Sequence, residues 1–182
     1  MRIAVYCGST AGNLELYTGA AYALGAWMAE NGHELVYGGS NTGLMGAVAD
    51  GVLDGGGRVT GVVPDVPEIS RRAHPRLTTR IEAGTMALRK TKMIELAQAF
   101  IALPGGVGTL DEITEILSLE SLGLVRGPVI FYSMEGYYAP MQAVLDNILA
   151  RGFGRPEYFS SVHFAENLEQ LCCALEGPQC PD

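Results

Sequence analysis

A carboxylate and a guanidinium stand where the surrounding pattern is otherwise apolar or glycine-rich. Glu112 follows the run Pro104-Gly105-Gly106-Val107-Gly108-Thr109-Leu110-Asp111, and Arg89 lies within Met86-Ala87-Leu88-Arg89-Lys90-Thr91-Lys92-Met93. Thr109 and Glu112 have the spacing of a capping box, with Thr109 as N-cap and Glu112 bonding back to it. The other reading makes Glu112 an ionised carboxylate at the mouth of a ligand site, kept charged by the helix N-terminus. Beside a ribose, such a group stabilises an oxocarbenium-like transition state or activates water. Glu115, one turn on, is a reserve candidate or simply a solvated helix residue. Arg89 borders the stripe of Met86, Met93 and Ala97. A guanidinium there either meets an anion, because an unpaired buried charge is costly, or snorkels or pairs structurally at a helix end.

The glycines suggest which anion. There are 24 in 182 residues, about twice the usual ~7%. They concentrate after short apolar runs, in residues 8–12, 38–46 and 104–109. If those runs are parallel strands, the three loops share the carboxyl edge of one sheet, where ligands bind. Each also feeds a helix N-terminus, whose free N–H groups favour phosphate. The simpler reading is that short strand-to-helix turns need glycine, which is harder to hold for three loops than for one. Gly106-Val107-Gly108 begins a GxGxxG whose third glycine is replaced by Asp111. The Gly39–Gly43 spacing is Walker-like, but Leu44 stands where a P-loop has lysine. Neither a dinucleotide fingerprint nor a P-loop is present, and a mononucleotide or other phosphate monoester fits better.

The elements that must position these loops alternate along the chain. Apolar runs at 3–7, 34–37, 58–63, 77–82, 100–103, 128–132 and 162–164 read as strands. Helical periods are expected at 14–31, 44–53, 86–99, 109–122, 138–150 and 166–175, with Asn13 as the first N-cap. The result is an α/β chain with an open, mostly parallel sheet and helices on both faces. Residues 1–176 form one domain and 177–182 a frayed tail. Residues 64–76, with three prolines and mixed charge, are the candidate mobile loop. Leu110, Ile113, Ile116, Leu117, Leu119 and Leu122 make the 109–122 helix apolar nearly all round. Its second side therefore meets another subunit, giving a homodimer, or lies under the closing helices of the same chain.

Composition excludes several classes. At 48% hydrophobic and 18% charged the chain is not of disordered type. A net charge of −8 argues against nucleic acid or an anionic membrane surface as partner. No run approaches the ~18 apolar residues of a membrane span, and the first residues do not read as a signal peptide. Cys7, Cys172, Cys173 and Cys180 have no metal-ligand spacing. They are expected as reduced thiols in a cytoplasmic protein. His33, His74 and His163 are expected to be surface or structural and Trp27 to be core. No metal or organic cofactor is called for.

The segment 104–112 fits PGGxGTxxE and resembles the LOG (Lonely Guy) family of cytokinin riboside 5′-monophosphate phosphoribohydrolases, often labelled lysine decarboxylases. The likeness continues in Cys7-Gly8-Ser9, Val36-Tyr37-Gly38-Gly39, Gly43-Leu44-Met45-Gly46, Gly61-Val62-Val63-Pro64, Met86 with Arg89-Lys90 and Met93, and Gly136-Tyr137-Tyr138. The resemblance implies a Rossmann-like fold, a dimer or larger assembly, and hydrolysis of adenine-type nucleoside 5′-monophosphates to free base and ribose 5-phosphate. It places the catalytic pair on Arg89 and Glu112 and phosphate binding on Gly105, Gly106, Gly108 and Thr109. Ser9, Gly43, Met86 and Lys90, in the matching segments, complete the expected nucleotide-binding set. Ala87-Leu88 and residues 119–123 depart from the family pattern, which bears on the base pocket, the N6 substituent and the assembly. The rival class is a carrier of similar fold that holds a nucleotide or a molybdopterin-type phosphate without turnover.

Overall fold

The computed structural model describes residues 1–177. The expected tail, from 178 onward, and Cys180 lie outside the described residues. Strands and helices alternate as β1 (Arg2–Tyr6), α1 (Glu15–Glu30), β2 (Glu34–Tyr37), α2 (Gly43–Asp54), β3 (Val59–Pro64), α3 (Pro67–Ser70) and β4 (Thr79–Ala83). They continue as α4 (Met86–Leu96), β5 (Ala99–Ala102), α5 (Val107–Ser121), β6 (Val129–Tyr132), α6 (Ala139–Ala150), β7 (Val162–Ala165) and α7 (Leu168–Glu176). The seven strands form one sheet in the order β4-β3-β2-β1-β5-β6-β7, and every pairing is parallel. This is the expected Rossmann-like α/β fold.

Strands covered on both faces need apolar residues throughout their buried run, as at 3–6 in β1, 35–37 in β2 and all of β5. Alternate side chains of β1 go to opposite layers. Ile3 and Val5 pack with Tyr17, Leu24 and Met28 of α1, Val48 and Val52 of α2, and Leu171 of α7. Ala4 and Tyr6 pack with Met93 of α4, Ile113 and Ile116 of α5, and Leu145 of α6. Helices α1 and α2 touch backbone to backbone. A methyl on Gly25 would lie 2.2 Å from the Val48 carbonyl oxygen, and one on Gly51 2.2 Å from that of Tyr22. Only glycine permits that approach. The neighbours of β1 are β2 and β5, so the direction in which successive strands are added to the sheet reverses there. The loops after β1 and β5 open at this switch point.

Several expectations are corrected. Residues 64–76 are not a loose loop. They contain α3, an antiparallel bridge from Ser40 to Ala73, and a buried His74 whose Nε2 lies 3.1 Å from Asp50 Oδ1. Arg76 adds ion pairs to Asp50 and Asp54. Helix α1 starts at Glu15 with Leu14, not Asn13, at its N-cap. Helix α4 stops at Leu96 because Ala97 is extended and leads straight into β5. His33 and His74 are buried, the structural and not the surface alternative, and Trp27, expected in the core, is half-buried against it. Cys7 and Cys172 are free, but Cys173 is disulfide-bonded, against the expectation of reduced thiols throughout. No helix among the described residues is long and apolar enough to cross a membrane.

Candidate active site

Two core-facing helix stripes each carry one charge. In α4 the buried residues are Arg89 and Met93, one turn apart. In α5 they are Thr109, Glu112, Ile113, Ile116 and Leu117. A charge on such a stripe is costly unless paired, and these two meet. Arg89 Nη1 donates to Glu112 Oε1 at 2.6 Å, with the residues only 5% and 7% exposed. Arg89 Nε donates to the Val62 carbonyl at 3.1 Å, which ties the guanidinium to the end of β3. Burial pushes the Glu112 carboxyl above its ordinary value, and the Arg89 cation pulls the other way without cancelling it. The sequence suggested a carboxyl kept charged by the helix N-terminus, whereas the net direction is upward. Lys90, next to Arg89 and some 100° around the helix, points elsewhere. Its Nζ lies 2.9 Å from both Asp111 Oδ2 and Glu115 Oε2, so it braces α4 against α5.

The capping box does not form. Helix α5 starts at Val107 with Gly106 as N-cap and no side-chain cap. Thr109 falls inside the first turn, and Glu112 is free to turn inward to Arg89. The N–H groups of Val107, Gly108 and Thr109 precede the first bond of this turn, Leu110 N–H to the Gly106 carbonyl. They are donors for an anion. Gly105 sits behind them. A methyl there would lie 2.1 Å from Thr109 Oγ1 and 2.9 Å from Gly8 N. The Tyr137 hydroxyl donates to the Gly105 carbonyl, fixing that peptide plane.

A cleft of about 490 Å³ lies over these groups, large enough for a mononucleotide. Among the expected residues, Ser9, Met86, Arg89, Gly106, Gly108, Thr109 and Glu112 line it, and Glu112 borders the Gly106–Thr109 turn. Gly43, Gly105 and Lys90 lie outside the lining. Gly43, at φ +59°, lets the start of α2 close on the Ser9 backbone, where a methyl would meet the Ser9 carbonyl carbon at 2.3 Å. The lining also includes residues that sequence reasoning did not place there. Gly38, Ser40 and Met45 follow β2, while Glu68, Ile69 and Arg72 come from the docked 64–76 segment. The glycine-rich 38–46 loop signalled the first three; nothing in the pattern of 64–76 signalled the others. Cys7 borders the cleft, but burial, then the nearby Glu112 charge, pushes its thiol far up, so it stays neutral and is no nucleophile. Among the described residues, no group of three or more His, Cys, Asp or Glu could hold a metal ion.

Residues 45–175 match the family described as "possible lysine decarboxylase". The chain is 43% identical over 178 residues to a probable cytokinin riboside 5′-monophosphate phosphoribohydrolase of Oryza sativa subsp. japonica, covering 96% of this chain and 78% of the relative. It is 37% identical over 177 residues to the cytokinin riboside 5′-monophosphate phosphoribohydrolase of Rhodococcoides fascians, covering 97% and 89%. Among solved structures, the molybdenum cofactor carrier protein of Chlamydomonas reinhardtii shares the fold, with a TM-score of 0.73 at 23% identity over 96% of this chain and 95% of that one. With such identity to the phosphoribohydrolases over nearly its whole length, the chain belongs to their family of enzymes, the LOG family that its 104–112 segment resembles.

Proposed function

We propose that this enzyme hydrolyses the N-glycosidic bond of adenine-type nucleoside 5′-monophosphates, AMP or cytokinin riboside 5′-monophosphates, giving free base and ribose 5-phosphate. The observation that carries the reading is the buried Arg89–Glu112 contact beside a helix turn with three free N–H donors. The 5′-phosphate is held by the N–H groups of Val107, Gly108 and Thr109, with Ser9 alongside. Its charge is matched by the partial positive end of α5. The ribose then lies over Glu112.

As the C1′–N9 bond breaks, its electron pair leaves with the base and positive charge builds on the sugar ring. Glu112 offsets that charge across a short distance in a water-poor site. Alternatively it takes the proton of the attacking water, whose oxygen bonds C1′. The base acquires its proton from solvent. Arg89 holds Glu112 in place through Nη1 while its own position is set by the Val62 carbonyl. The reading uses no metal or organic cofactor.

Chromatography of the purified protein incubated with AMP and, separately, with isopentenyladenosine 5′-monophosphate tests it. Free base and equimolar ribose 5-phosphate are expected from at least one. Tight nucleotide binding with no release from either would replace the hydrolase by the carrier.

The assembly we propose is a homodimer. Met86 and Leu88 on α4, and Leu122 and Leu124 after α5, are 43%, 57%, 68% and 70% exposed, an apolar set that a second copy would cover. Leu110 and Ile148 are partly buried within the chain, so the closing helices cover only part of this face. Sedimentation equilibrium should give twice the 19.3 kDa chain mass, and a monomer at micromolar concentration would remove the proposal.

A further inference from the structure

We propose that Gly38 is a positioning residue for the catalytic pair: the missing side chain at this position is the space that lets Arg89 reach Glu112. The inference rests on the hydrolase reading, because it assigns Gly38 a role in that same site. Gly38 directly follows β2 and lines the cleft. A β-carbon there would lie 1.8 Å from Arg89 Nη2, 2.9 Å from Arg89 Cζ and 2.4 Å from Met45 Cε.

Backbone conformation does not explain the glycine. Its neighbour Gly39 has φ +82°, where glycine is required on conformational grounds, but Gly38 is not among the positive-φ glycines. What excludes a side chain at 38 is occupancy. The space is filled by the guanidinium and by the tip of Met45.

The two obstructing groups differ in their freedom to yield. The Met45 methyl ends a flexible thioether. The guanidinium is held on two edges, by the Val62 carbonyl at 3.1 Å and by Glu112 at 2.6 Å. A methyl at 38 moves it only by loosening one of those bonds. The expected defect therefore lies in the Arg89–Glu112 geometry and spares the Val107–Thr109 donors, which come from a different loop. Gly38 differs in this from Gly105, whose added methyl would strike the phosphate turn itself.

The test uses Gly38→Ala, Arg89→Lys and the double variant, with Glu112→Gln as reference, in the full chain. Gly38→Ala should lower kcat for the hydrolysed nucleotide by about tenfold or more, with KM changed by less than about threefold. The acid limb of its pH–rate profile should move to higher pH, because Glu112 loses the cation that favours its charged form. Lysine lacks the Nη2 branch, which makes the 1.8 Å contact. The fall in Tm caused by Gly38→Ala should therefore be at most about half as large in the Arg89→Lys background, a non-additivity that reports contact between the two sites. If Gly38→Ala alone fails to fold, a folded double variant carries the same conclusion. The proposal is overturned by wild-type kcat and an unmoved acid limb in Gly38→Ala, by an equal fall in Tm in both backgrounds, or by failure of both Gly38 variants to fold. Absence of base release by the wild-type chain would instead remove the hydrolase reading, whatever Gly38 does, and wild-type turnover by Glu112→Gln would remove only the role of Glu112.

Discussion

Glu112→Gln is expected to lower kcat for nucleotide hydrolysis by about 10²–10⁴-fold, while AMP affinity stays within a few-fold. Glutamine has nearly the same shape, and its amide oxygen still accepts from Arg89 Nη1, so the cleft and the phosphate turn are preserved. What disappears is the negative charge facing the sugar, which matters only as positive charge develops there. Such a loss falls on kcat and kcat/KM alike and leaves ground-state binding intact. The wild-type pH profile belongs to the same prediction. Burial raises the Glu112 carboxyl and Arg89 only partly restores it. The reaction needs the ionised form, so kcat/KM falls as pH drops through a value above the ordinary carboxylate range. Single-turnover kinetics from pH 4 to 9, with AMP binding by calorimetry, check both parts. A fully active glutamine variant, or an acid limb below pH 4, would remove Glu112 from its role.

The sheet and its three glycine loops were legible in the sequence because short apolar runs end there in clusters of glycine. The apolar runs of β1, β2 and β5 are too short to be helices. The pair itself was only half legible. Arg89, bordering the Met86–Met93 stripe, was visible as a charge that must find an anion, but the local pattern did not show Glu112 on a buried stripe with Thr109, Ile113 and Ile116. The sequence could not place the start of α5. Thr109 and Glu112 have the spacing of a cap, and the competition was decided by Gly106, whose extended backbone starts the helix early enough to put Thr109 inside the first turn. Lys90 was expected in the nucleotide-binding set through its matching segment, but one residue along a helix from Arg89 is a turn of about 100°, and it faces Asp111 and Glu115. The 64–76 segment was misread for another reason. Proline and mixed charge describe its surface, whereas its docking depends on long-range partners, Ser40 for Ala73 and Asp50 for His74, which local pattern does not reveal.

Arg89→Met should cost stability in a pH-dependent way that Arg89→Met combined with Glu112→Gln does not. In the wild type the folded-state pKa of Glu112 lies above its unfolded value. The stability it contributes is therefore present below the unfolded pKa and is lost as pH rises through the folded one. At neutral pH the ionised carboxylate is thus a net cost that Arg89 limits. Without the guanidinium the folded pKa rises further, and at pH 8 the chain must bury an unpaired carboxylate. Breaking a buried pair this way costs about 3–5 kcal/mol, a fall in Tm of roughly 6–20 °C for a chain of this size. As pH falls through the raised folded-state value, Glu112 takes up its proton in the folded state and most of that cost disappears. In the double variant there is no charge left to bury. Its Tm should be flat across the same range and at or above wild type at pH 8, since replacing a buried ion pair by neutral groups is often neutral or stabilising. The bond to the Val62 carbonyl is lost in both variants, so it cancels in the comparison. Calorimetry at pH 5, 6.5 and 8 on the three proteins decides the matter. A pH-independent loss in Arg89→Met, or a double variant that stays as unstable as the single one, would mean that Arg89 serves the fold by packing. Recovery of stability without recovery of turnover would mean that the pair is kept for chemistry at the expense of the fold.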